Sequence, residues 1–145
     1  MNGTALINLA DIALCTSNDL HTMHLNYKGT EFDTMHKKVL QKYYDKAAED
    51  ADTWYEAAAM FETESPSLND AARRLNWQSV EGMFNYNSVV QKCDELLQTY
   101  CAALLLVYNA LNDEQCYLSV GVQNTVQTAI EYWSKEQAYF NARRN

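Results

Sequence analysis

Apolar side chains recur every three or four positions along four long stretches of this chain, separated by polar punctuation. In the first, from about Thr4 to Lys28, Leu6, Leu9, Ala13, Leu20 and Tyr27 fall at helical spacing, and Gly29 supplies the stop. The second starts at Thr30, whose hydroxyl can cap a helix while Asp33 answers three residues on. Its stripe is Phe32, Val39, Tyr43, Ala47, Trp54 and Phe61, which predicts about thirty residues, or roughly 45 Å, of helix. Thr63-Glu64-Ser65-Pro66-Ser67 breaks the pattern and holds the one proline. A shorter, polar helical stretch containing Trp77 runs from Ser67 to Phe84. The third long helix follows Ser88, with Val90, Cys93, Leu97, Cys101, Leu104, Tyr108 and Leu111 spaced by threes and fours. Asn112, with Gln115 three residues later, caps the fourth, which carries Val122, Val126, Ala129, Trp133 and Phe140.

Two long helices, a connection of about twenty-five residues and two more long helices predict an all-α four-helix bundle, with one long crossover containing a short helix. A single crossover in mid-chain marks the ferritin-like bundle, since cytokine bundles carry two. The 145 residues are read as a single domain, 1–145, long enough to bury a core. Gly 4 and Pro 1 fit a chain with few connections. No run of eighteen apolar residues would cross a membrane, and Met1 to Leu6 lacks the basic region of a signal peptide.

The formal charge of −8 argues against nucleic acid, because phosphate binding draws on Lys and Arg, and the basic pairs here form no patch. An acidic body attracts cations instead. Cys15, Cys93, Cys101 and Cys116 form no CxxC, and Cys93 and Cys101 share one apolar stripe. Buried free thiols in a reducing compartment, and so a cytoplasmic protein, are the expectation.

The candidate chemistry lies around the first turn. His24 and His36, twelve residues apart, bracket a Lys28-Gly29-Thr30 break between two amphipathic segments. Asn26, Gly29 and Phe32 stand between or beside them, and Asp52 with Glu56 makes a D-x-x-x-E pair further along the second helix. With Pro66 in the crossover, Asp113-Glu114 before the last helix and Trp133 near its end, the chain resembles the Dps family of mini-ferritins over nearly its full length. That resemblance implies a hollow homo-oligomeric shell, a dodecamer, that oxidises Fe(II) with peroxide or oxygen and stores Fe(III). The metal is iron or another divalent ion, held between subunits. Carried over by position, His24 and His36 come from one chain as the catalytic imidazoles and metal ligands. Asp52 and Glu56 come from its twofold mate. The activity implied is that of a ferroxidase-type oxidoreductase, provided the centre is intact. Asp113 and Glu114 read as the start of the last helix, where carboxylates favour the macrodipole, and by resemblance as part of an acidic threefold pore. Direct DNA binding is not expected, since no lysine-rich tail precedes the first helix.

Three positions depart from the family pattern. Leu40 stands where an Asp or Glu is usual, Leu25 replaces a common tryptophan, and the sixteen-residue step from His36 to Asp52 is one residue longer. One extra residue rotates both carboxylates by about 100° around a helix. A π-bulge between His36 and Asp52 would rotate them back. On an unbroken helix Leu40, Ala51 and Tyr55 take the ligand positions instead. Asp45, Glu49, Asp52 and Glu56 are then a solvated acidic face, and the chain is a Dps-like shell with a degenerate centre, acting as a structural or protective assembly. His21 is an alternative ligand one turn before His24, and Trp54 a candidate radical quencher.

Overall fold

In the computed structural model, residues 3–29, 34–114 and 116–144 are described, with His36 and Lys37 given by backbone alone. Helix α1 (Thr4–Leu25) turns Leu6, Leu9, Ala13 and Leu20 fully inward. It ends at Leu25 rather than Lys28 because the chain there leaves the helix to pair with the crossover. The Phe84 N–H donates to the Asn26 carbonyl at 3.0 Å, and the Lys28 N–H donates to the Phe84 carbonyl at 2.7 Å. The expected cap pair Thr30 and Asp33, and Phe32, lie outside the described residues. A π-helical turn, Thr34–Gln41, then runs directly into α2 (Lys42–Met60).

Beyond α2 the crossover holds a 3-10 turn, Leu68–Asp70, and the five-residue α3 (Ala71–Leu75). The expected helical stretch to Phe84 is thus cut short. Asn76 takes a left-handed conformation (φ 52°) that closes α3, and the Val80 N–H is drawn out of any helix by the Asp19 carboxylate at 3.2 Å. The segment climbs α1 by successive side-chain contacts. Gly3 N–H donates to Thr63 Oγ1 at 2.8 Å, and Arg74 donates twice to Asp11 at 2.6 and 2.8 Å. Trp77 Nε1 then donates to Asp19 at 2.9 Å, and Phe84 pairs with Asn26. Asp11 and Asp19 are buried but compensated, as buried carboxylates must be.

Helix α4 (Tyr86–Asn112) starts slightly before the expected position, because Asn85 and Ser88 form a reciprocal capping box at 2.9 Å in both directions. Asn112 ends α4 and does not cap the next helix. Helix α5 (Tyr117–Arg143) begins at Cys116, whose N–H donates to Ser119 Oγ at 3.0 Å. Asp113 and Glu114 accordingly sit in the turn between helices, not in the first turn of α5. Helix α1 packs along α2, α4 along α5, and the two hairpins join chiefly through α1 against α4. This is the helical bundle with one long crossover.

A carboxylate stands in the middle of the core. Asp50 accepts hydrogen bonds from Tyr100 Oη at 2.8 Å, Trp133 Nε1 at 2.7 Å and Lys46 Nζ at 2.6 Å. Trp54 Nε1 donates to Tyr100 Oη at 2.8 Å, so α2, α4 and α5 are tied by one network. Its place could have been read from the sequence, since Asp50 falls in register with Tyr43, Ala47 and Trp54 on the inward stripe.

All four cysteines are free, but they are not all buried: Cys15 and Cys93 are, Cys101 is half-buried and Cys116 is exposed. Burial pushes the Cys15 and Cys101 thiols up to about 11, whereas hydrogen bonding with Ser119 holds Cys116 below its usual value. Thiolate is the reactive form. Iodoacetamide at mild alkaline pH should therefore add one adduct first, at Cys116, by peptide mass mapping. Equal labelling of Cys15 or Cys93 would contradict this assignment.

Candidate metal centre

His24 sits on the last turn of α1 at 7 % exposure, edge-on to Tyr44 of α2, with ring centres 5.2 Å apart at 74°. His21, one turn earlier and exposed, stacks on the same tyrosine at 4.2 Å and 14°. Ser17 Oγ donates to the Tyr44 carbonyl at 2.8 Å and fixes the two helices at this level. Tyr44 was invisible as a site residue in the sequence, because its role depends on how α2 lies against α1. His36 falls within the π-helical turn, and its side chain lies outside the described ones.

The π-helical turn occupies the region where the extra residue before Asp52 has to be absorbed. One such turn takes up roughly one residue, or about 100° of rotation. Beyond it, Ala51 and Tyr55 point inward, and Tyr55 Oη donates to Asp11 at 2.6 Å. Leu40 is fully buried. Asp52 and Glu56 are exposed, one helical turn apart, on the outer stripe of α2 with Asp45 and Glu49.

The structure does not bring the imidazole and the carboxylates together within one chain. Tyr44 marks the level of His24, and a rise of 1.5 Å per residue puts Asp52 and Glu56 about 12 and 18 Å further along α2. Among the described residues, no group of three or more His, Cys, Asp or Glu could hold a metal ion. Trp54, the candidate radical quencher, lies inside the Asp50 network and is 1 % exposed.

No family model matches the sequence, and no curated protein matches it. Solved structures do. The fold is the ferritin-like bundle, and the structural neighbours include Dps proteins. Helicobacter cinaedi CAIP superposes with a TM-score of 0.86 at 14% identity, covering 99% of both chains. The DPS protein of Vibrio cholerae O1, described as belonging to a broad superfamily of ferritin-like diiron-carboxylate proteins, gives 0.84 at 15% identity, over 97% of this chain and 86% of that one. Dps92 from Deinococcus radiodurans gives 0.83 at 18% identity, over 97% and 83%. The chain therefore has the Dps fold. Among the described residues, no helix is long and apolar enough to cross a membrane.

Proposed function

We propose that this chain, as a single ferritin-like domain of residues 1–145, is the subunit of a Dps-like cytoplasmic cage that oxidises and stores iron and so protects against oxidative stress. The observation that carries this reading is the π-helical turn at Thr34–Gln41, followed by an α2 that turns Asp52 and Glu56 outward. Antiparallel pairing of two copies, centred near the level of Ala47, would set the carboxylates of each between the levels of His24 and His36 on the other. Carboxylate oxygen and imidazole nitrogen together suit Fe(II) as substrate, and this set leaves positions open for oxidant. Two Fe(II) would each lose one electron to peroxide, which takes up two protons and leaves as two waters; dioxygen is the other oxidant. The −8 charge draws Fe(II) inward and argues against a role on DNA.

Exposed apolar side chains support assembly. Leu25, Leu106 and Tyr117 are 68 %, 72 % and 101 % exposed, and an interface between copies would cover such side chains. Sedimentation should give a closed particle of about 200 kDa, twelve copies of the 16.6 kDa chain. A monomer at micromolar concentration would sink the cage. Fe(II) plus peroxide should then yield a soluble brown core. The buried Leu40 favours a second reading, a protective shell with a degenerate centre. That reading predicts the same particle with no core.

A further inference from the structure

We propose that His21 and His24 together form a two-imidazole chelate for a late divalent cation, with Zn²⁺ as the probe. The inference goes beyond iron oxidation, although it shares His24 with that site. Residues three apart lie on one helical face. Here the two ring centres are 5.9 Å apart, inclined at 61°. Two imidazoles on one tetrahedral ion, with bonds of about 2.1 Å, have ring centres about 5 Å apart. A small rotation of the exposed His21 ring closes that difference.

Two features set this pair apart from a surface histidine that merely lies near another. Both rings bear on Tyr44, one stacked at 4.2 Å and one edge-on at 5.2 Å, so α1 and α2 hold them in place before any ion arrives. The Ser17 hydrogen bond to the Tyr44 carbonyl keeps the interhelical spacing at that level. His21 is reached from solvent, while His24 forms the inner wall. Two imidazoles fill two of the four positions of a tetrahedral ion and leave the others for further ligands, water included. A nitrogen-rich pair of this kind selects zinc, nickel or copper over Fe(II). An ion seated there takes His24 away from iron, so His21 would make the cage sensitive to competing metals.

The test is calorimetric titration of Zn²⁺ into the assembled, full-length protein. His21→Phe keeps an aromatic ring on Tyr44, so the thermal midpoint should hold while zinc affinity falls about tenfold or more. His24→Phe should remove the same binding step. The double variant Asp52→Ala/Glu56→Ala should retain it. An unchanged zinc isotherm in His21→Phe overturns the chelate. Failure of the wild-type protein to oxidise iron, with the His21-dependent zinc step intact, counts against the proposed function alone.

Discussion

Removing both carboxylates, Asp52→Ala with Glu56→Ala, should cut the rate of Fe(II) oxidation by on the order of 100-fold, at or beyond the upper end of losses seen on mutating groups around a metal. His24→Ala and His36→Ala should each do the same. The two carboxylates lie on the exposed stripe of α2, so the variant should fold and assemble as before. Surface substitutions of this kind change stability by about 0.5 kcal/mol or less. Asp45 and Glu49 lie on the same stripe and provide the control. If a diffuse acidic face merely concentrates Fe(II), replacing Asp45 and Glu49 should slow oxidation as much as replacing Asp52 and Glu56. If the latter pair are ligands, the Asp45/Glu49 variant should keep most of the rate. Stopped-flow absorbance of ferric product separates the two outcomes.

The largest effect on stability is expected at Asp50. Its 5 % exposed carboxylate accepts from Tyr100, Trp133 and Lys46. Asp50→Ala strands a phenol and an indole N–H in the core and leaves a lysine without its counter-ion. A buried donor left unsatisfied costs about 1–3 kcal/mol, and two are stranded here, while the partly exposed Lys46 can turn to water. A loss of about 3–5 kcal/mol is expected, lowering the thermal midpoint by roughly 10 °C for a chain of this size. Asp50→Asn keeps an acceptor oxygen and should lose less. A change below about 1 kcal/mol in Asp50→Ala would mean that the network is not holding α2, α4 and α5 together.

Much of this was legible beforehand, for identifiable reasons. The stripes Leu6 to Leu20 and Val90 to Leu111 have the 3.6 period of helices that bury one face, and they became α1 and α4. Counting from His36 to Asp52 gave one residue too many, and the π-helical turn lies where that residue must go. The shortness of α3 could not be read from the same periodicity. It depends on Asp19 of α1 taking the Trp77 indole and the Val80 N–H, a contact fixed only once the crossover lies on α1. The α5 cap was misassigned to Asn112 for a related reason. Apolar packing of Leu111 carries α4 to its end, and Cys116 with Ser119 offers an equally good reciprocal cap further on. Tyr44 became visible as the seat of both histidines only from the relative placement of α1 and α2.

The central claim is that imidazoles of one chain and carboxylates of another make one iron site. It can be tested by co-assembly of two inactive subunits. One carries His24→Ala and His36→Ala, the other Asp52→Ala and Glu56→Ala. Where the two meet across a twofold interface, one of the two sites regains all its ligands. Random mixing should therefore restore about a quarter of the wild-type oxidation rate. Mixed shells that form normally yet oxidise iron no faster than either parent would contradict a site shared between chains.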